Sequence, residues 1–412
     1  MTEHTAPRTR IVVIGGGYAG VMAANRITGR TDVAVTLINP RPAFVERIRL
    51  HQLVGDTHAA VVDYRDVLAD GVRLLVDTVD RIDAPQRSLT LASGGTIPYD
   101  YLLYAVGSGS ADPSVPGAAE FAYPIASLEE AERLRPVVEQ AAAEAPVTVV
   151  GAGPSGIETA AELAEQGRRV TLVCGGVLGP YLHPRGRRSV AGRLADLGVT
   201  VVEGHDAKVT AVTRDSVELA DGRTLPSAVT IWTVGFGVPD LAAHSGLTTD
   251  ALGRLITDET LTSVDDDRIL AAGDSAAPSN LPYRMSCQAA GPLGAHAADT
   301  LLSRLDGARP ATLAIGFAGL CVSLGRRHGI FQFARKDDSA KSGHLGGVPG
   351  AKLKEFICKH TVKQLADEAR RPGTFRLHKK SKSEGKRRQE MLALRAGQSG
   401  AALPEAAPAA RS

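Results

Sequence analysis

At 412 residues the chain is too long for one ordinary core and fits roughly two to three domains. Hydrophobic residues make up 43% and charged ones 22%, the balance of a soluble globular protein, and no run approaches the ~20 apolar residues that span a bilayer. The four cysteines, Cys174, Cys287, Cys321 and Cys358, are scattered without metal-type spacing, which argues against a disulfide framework or zinc site and for a reducing compartment. The net charge of +2 is uneven, because residues 351–388 hold 13 Lys/Arg against 4 Asp/Glu. An acidic body with a basic tail is expected.

The first nine residues are polar, lack the apolar centre of a secretory leader, and lead into a strand–helix–strand unit over residues 10–39. "RIVVI" is its first strand, a helix runs from about Tyr18 to Thr28, and "VAVTLI" is its second strand. The turn between them reads Gly-x-Gly-x-x-Gly at Gly15, Gly17 and Gly20. Gly15 permits the tight turn, Gly17 lets a pyrophosphate approach the backbone, and Gly20 lets the helix pack close to its strand. The helix start adds free N–H groups and a positive dipole end. At the end of the second strand, where an acid normally meets the adenosine ribose, stands Asn39.

Residues 44–56, "FVERIRLHQLVGD", contain no cysteine and carry Arg47 and Arg49. Short strands follow in "VRLLVDTVDRID" and "SLTLAS", then the apolar run "YLLYAVG" ending at Gly107. Residues 147–174 then repeat the opening unit, as "VTVV", a helix through Ile157–Gln166, and "RVTLVC". Its fingerprint is Gly151, Gly153 and Gly156, with Glu158 two positions beyond. Cys174 replaces the ribose acid, so a 2′-phosphate meets no carboxylate there, and Arg185, Arg187 and Arg188 are near in sequence. Use of NADPH as well as NADH is therefore open. The strands "VTVVEGHDAKVTAV", "SVELADG" and "AVTIWTVG" parallel those of the first half, and "ILAAGDSA" delivers Gly273 and Asp274. After Pro310, "FAGLCVSL" and "IFQFAR" read as a hairpin, 336–350 as a loop, and 351–369 as an amphipathic helix with apolar Leu353, Phe356, Ile357 and Leu365. From 376 onward the composition reads as a disordered basic tail. Its "HKKSKSEGKRR" lacks interleaved aromatics, which disfavours a nucleic-acid partner.

The order GxGxxG, "YLLYAVG", GxGxxG, "TIWTVGF", "LAAGD" resembles that of the two-dinucleotide-binding flavoproteins, the FAD/NAD(P)-dependent pyridine nucleotide oxidoreductases, over residues 10 to about 300. The resemblance implies an α/β fold of two Rossmann-like domains with a small α+β C-terminal domain. FAD would occupy residues 1–115 with 255–310, NAD(P)H residues 116–254, and the small domain residues 311–375, before the tail at 376–412. Gly15, Gly17 and Gly20 would hold the FAD pyrophosphate, Asn39 its ribose and Asp274 its ribityl chain, with Gln288–Ala289 beside the ring. Gly151, Gly153 and Gly156 would take NAD(P)H. Arg47, Val79, Gly107, Gly235 and Gly273 complete the implied cofactor positions, and Arg47 and Arg49 are placed to stabilise an anionic reduced flavin. Two turns are needed because hydride must pass between two stacked cofactor rings.

Without a cysteine pair in 44–56, reduced flavin must pass electrons straight to an outside acceptor. Glu158 matches the position at which type II NADH:quinone dehydrogenases, the branch this chain resembles, place a glutamate near the flavin. Glu158 and Gln288 are thus the candidate catalytic residues. The stretch "MSCQAAGPLGAHAAD" keeps a single glutamine where that branch commonly has two, which leaves the acceptor open between a quinone and another small molecule. A soluble reductase serving a ferredoxin or a tailoring step, and a low-turnover redox sensor resembling apoptosis-inducing factor, also remain open. The expected setting is cytoplasmic, with the basic face of 351–388 available to anionic membrane and a homodimer left open.

Overall fold

The computed structural model describes residues 8–376, Arg388 and Leu392. Two five-stranded parallel sheets dominate it. The first runs in the order Ile269–Ala271, Tyr101–Tyr104, Thr9–Ile14, Val33–Asn39, Val72–Val76. The second runs Ala122–Pro124, Val229–Trp232, Val147–Val150, Val170–Val173, Thr200–Val202. The central strands are Val/Ile/Leu-rich and buried on both faces, as parallel strands covered by crossover helices must be. Each sheet carries an antiparallel three-stranded excursion, at Val79–Pro98 and Val209–Pro226.

The expected helices are present at Tyr18–Ile27 and Pro154–Glu165. The second begins a turn earlier than the apolar periodicity suggested, because Pro154 sits in its first turn, where the missing N–H costs nothing. The first packs along Cys287–Leu305 so closely that a Cβ on Gly294 would stand 2.2 Å from the Ala19 carbonyl oxygen. A Cβ on Gly273 would stand 3.0 Å from the Ala19 Cβ, so the Asp274 strand end lies against the same helix.

The C-terminal layer differs from the sequence expectation in two ways. It is a three-stranded sheet, since Ala340–Leu345 pairs with Gly329–Ala334 where a loop was expected. This edge strand shows no apolar alternation. Backbone pairing and the Gln332 amide, which donates to the Lys341 and Gly343 carbonyls at 2.6 and 2.9 Å, hold it instead. The helix spans Gly347–Arg370 and is docked on the body rather than solvated, with Lys354, Cys358, Leu365 and Glu368 buried and Phe356 outside. Its apolar periodicity misled because two of the buried positions are charged: Glu368 pairs with Arg26 at 2.9 Å, and Lys354 pairs with Glu158. Most of 376–412 lies outside the described residues. Arg388, however, is buried, with its guanidinium on Glu259 at 2.7 Å and over the Tyr283 ring.

Candidate active site

Both glycine turns form by the same hydrogen bond. Gly15 N–H donates to Ile38 at 2.8 Å, and Gly151 N–H to Val173 at 2.9 Å. Gly15 and Gly151 have φ of +100° and +112°, and a Cβ on Gly20 or Gly156 would lie 1.8 Å from the carbonyl oxygen of its own turn. Those four glycines build the turns. The open positions are Gly17 and Gly153, where an added Cβ would meet nothing within 4 Å. Neither following helix has a side-chain cap, so its first N–H groups are left for a ligand. Asn39 accepts from Gly16 N–H at 2.9 Å and donates to the Arg41 carbonyl at 2.8 Å, while the Tyr64 hydroxyl donates to Gly16 O at 2.8 Å.

One cavity of about 1050 Å³ joins the two modules. Its size is at the top of the range for small-molecule and cofactor sites. Gly15, Gly17, Asn39, Gly107, Gly273 and Asp274 line it from the first module. Glu158 and Gly235 line it from the second, with Pro154 and Ser155 beside Gly153. Gly20, Gly151, Gly153 and Gly156 do not line it. The Tyr18 hydroxyl is buried at this wall with no partner, as an orphan that a polar ligand would satisfy. These features fit a dinucleotide with a ring system.

Four expected contacts need correction. Val79 faces the core beneath its small sheet, because a β-branched residue on that face packs inward, and it is off the cavity wall. Arg49 is also off it, buried and held by Glu355 at 3.0 Å and by Glu46 at 3.1 Å, so Arg47 alone of that pair can reach a ring in the cavity. Arg47 donates to Ser108 Oγ at 3.0 Å and lies 3.6 Å from Asp274, which Ser108 holds at 2.7 Å. Ala289 is buried with its N–H on Ser286 Oγ at 3.3 Å, and its neighbours Cys287 and Ala290 line the wall instead. Gln288 does line the cavity, but its side chain binds Ala318 N–H and the Gly319 carbonyl, which makes it a tether to the C-terminal sheet.

Glu158 is where three regions meet. One oxygen accepts Ser323 N–H at 2.8 Å and pairs with Lys354, and the other lies 3.6 Å from His51 Nδ1. Burial pushes the Lys354 ammonium towards deprotonation, but the adjacent Glu158 carboxylate outweighs it and the net direction is upward. His51 is pushed down to about 4, chiefly by burial, with Lys354, Arg326 and Arg49 adding to it and Glu158 opposing. Lys354 and His51 were missed in the sequence because nothing local marks a partner 196 residues away.

Cys287, Cys321 and Cys358, remote in sequence, all line the cavity. They are free thiols, and burial pushes them up: Cys287 to about 12, Cys358 to about 11, Cys321 in the same direction. Thiols held protonated are poor nucleophiles. Beside Cys174 the structure sets Glu203, whose carboxylate accepts Leu178 N–H at 2.6 Å. The expected arginines belong to the helix Pro184–Asp196, which packs its first turn towards Gln332 of the C-terminal sheet.

Residues 9–297 match the pyridine nucleotide-disulphide oxidoreductase family, and the chain belongs to it. It is an oxidoreductase of that family, with FAD and a nicotinamide dinucleotide as its cofactors. The chain is 32% identical over 330 residues to an NADH dehydrogenase-like protein of Mycobacterium tuberculosis, covering 72% of this chain and 81% of that one. It is 30% identical over 357 residues to the type II NADH:quinone oxidoreductase Ndh of the same organism, covering 75% and 76%. In fold it is similar to the sulfide:quinone oxidoreductase of Aquifex aeolicus (TM-score 0.74, 21% identity, 87% of this chain and 92% of that one). It is also similar to NDH2 of Plasmodium falciparum in complex with NADH (TM-score 0.72, 15% identity, 89% and 99%).

Proposed function

We propose that the protein is an NAD(P)H dehydrogenase that passes electrons through FAD to a quinone-type acceptor without a redox disulfide. The observation that carries this reading is the single cavity reached by the first glycine turn, by the start of the second helix and by the buried Glu158–Lys354 pair. Residues 1–115 with 255–310 form the FAD unit, 116–254 the NAD(P)H unit and 311–375 the cover. When bound, FAD supplies reversible acceptance of the nicotinamide hydride. Gly17 and Gly153 leave room for the two pyrophosphates, Asp274 and Asn39 receive polyol hydroxyls, and Arg47 offers positive charge to the ring. Leu50, Leu320 and Ile357 give an aromatic acceptor an apolar wall. The protonated thiols of Cys287, Cys321 and Cys358 favour direct transfer over dithiol chemistry. Glu203 beside Cys174 favours NADH, because a 2′-phosphate there would be repelled.

Among the described residues no helix is long and apolar enough to cross a membrane. The C-terminal layer exposes Phe333, Leu345, Val348 and Phe356 and also exposes Lys341, Lys352 and Lys359, which supports contact with anionic lipid from the cytoplasmic side. The test is anaerobic reduction of the purified yellow protein by NADH and then NADPH, followed by mixing with a water-soluble benzoquinone. Rapid bleaching by NADH and recolouring by quinone is the expected result. Recolouring by ferredoxin alone would move the protein to the soluble reductases, and turnover well below ~0.1 s⁻¹ with every acceptor to the sensors.

A further inference from the structure

Three side chains from distant parts of the chain form a buried cluster on the cavity wall, and all three line it. Lys354 of the C-terminal helix pairs with Glu158 Oε1, and Glu158 Oε2 faces His51 Nδ1 at 3.6 Å. His51 lines the cavity, is 5% exposed, and its Nε2 has no hydrogen-bond partner. A buried ring nitrogen without a partner is costly, and the residue that carries it lines the cavity together with Leu50 and Ile357. Nδ1 is the ring nitrogen nearest the Glu158 carboxylate, which leaves Nε2 as the nitrogen without a partner. Protonation gives Nε2 a hydrogen to donate, with Glu158 on the Nδ1 side to hold the cation.

We propose that His51 is the group that hands the solvent-derived proton to the oxygen of the quinone-type acceptor, with Glu158 positioning the ring and Lys354 positioning Glu158. This inference rests on the acceptor class proposed above. The balance is NADH + H⁺ + quinone → NAD⁺ + quinol. The electron pair and one hydrogen originate in the nicotinamide hydride. The second proton leaves Nε2 as the acceptor oxygen gains charge, and water then restores it to the ring. Glu158 facing the ring favours the imidazolium, whereas burial and the Lys354, Arg326 and Arg49 cations oppose it. The protonated donor is thus scarce and strongly acidic at neutral pH, and the proton-requiring step speeds up as pH falls from 8 towards 5.

The experiment separates the half-reactions of the FAD-loaded full chain under anaerobic conditions. Reduction by NADH is followed first, then reoxidation by a water-soluble benzoquinone and, in parallel, by ferricyanide, which takes an electron and no proton. In His51→Gln the quinone step is expected to fall about 100-fold and lose its pH dependence. Reduction by NADH and reoxidation by ferricyanide stay within about twofold of wild type, and added imidazole restores part of the quinone rate in His51→Ala. In the oxidised holoprotein, the histidine ring NMR signal missing from His51→Gln titrates well below pH 6. In Glu158→Gln it moves lower still, because the Lys354 cation remains. An unchanged quinone rate in His51→Gln overturns the inference, as does an equal loss with quinone and ferricyanide, which marks a structural role, or a His51 signal titrating near 6.5. Wild-type protein that NADH reduces and ferricyanide reoxidises, but no quinone does, overturns the acceptor reading itself and takes the inference with it.

Discussion

The two glycine turns share their mechanics and differ in their surroundings. Each has a left-handed first glycine, an open second glycine and a third one pressed on the carbonyl of the turn. Gly15, Gly16 and Gly17 all line the cavity, and Gly16 is clamped by both Asn39 and Tyr64. The second turn reaches the cavity only through Pro154 and Ser155. Seven residues beyond the first glycine, one helix buries Met22 and the other buries Glu158. On the function proposed above, the clamped first turn would hold its dinucleotide as a resident and the second would present its own as a visitor. The difference also shows chemistry entering where an apolar core position has become a carboxylate.

The largest effect should come from breaking the first turn. Gly15→Val places a β-branched side chain at φ +100° with its Cβ about 2.2 Å from the Ala105 carbonyl oxygen, which no rotamer relieves. The purified variant is expected to be colourless, read as loss of flavin absorbance. Yellow protein at wild-type stoichiometry would remove FAD from this turn.

The contrast between Met22 and Glu158 gives the next prediction. Lys354→Met leaves the Glu158 carboxylate buried without its cation, which costs about 3–5 kcal/mol in comparable cases. Chemical denaturation should show that loss, and Glu158→Gln added to Lys354→Met should recover a good part of it. Strict additivity of the two substitutions would mean that the ion pair is incidental to the fold.

This pair also marks the limit of what could be read from the chain. The two Rossmann units, the Gly15 and Gly151 turns and the Asp274 strand end follow from local chemistry: β-branched runs, glycine at positive φ, and a helix starting where the phosphate must sit. Lys354, His51 and the convergence of Cys287, Cys321 and Cys358 follow from tertiary packing across as many as 303 residues, from His51 to Lys354. No local pattern encodes that. The C-terminal helix misled for the same reason, since a buried lysine resembles a solvated one until its partner is known. The Ala340–Leu345 strand was missed because an exposed edge strand needs no apolar alternation.

His51 gives the pH dependence. The unfolded chain protonates this ring near its ordinary 6.5, whereas the folded one does so only near about 4. Unfolding therefore takes up a proton between those values, and stability is lost as pH falls through that window, by about 3 kcal/mol at most. His58 and His296 are shifted in the same direction, so the informative quantity is the difference between wild type and variant. Denaturation at pH 7 and pH 5 should give a shallower acid loss in His51→Gln. Equal slopes would mean that the ring is solvated.

The smallest effect sharpens the distinction between resident and visitor. Gly17→Ala and Gly153→Ala each add one methyl group where nothing stands within 4 Å, at backbone angles that any residue adopts, so neither should disturb the fold. What each methyl group obstructs is the approach of a pyrophosphate to the helix N–H groups, where losing one charge-assisted hydrogen bond corresponds to roughly a 10-fold change. Gly17→Ala should release flavin more readily on dilution while the KM for NADH is unchanged. Gly153→Ala should keep its flavin and raise the KM for NADH about 10-fold, with little change in the rate at saturation. If Gly153→Ala lost flavin as well, the two turns would act as one site. The separation drawn from Gly16, Asn39 and Tyr64 on one side and Pro154 and Ser155 on the other would then fail.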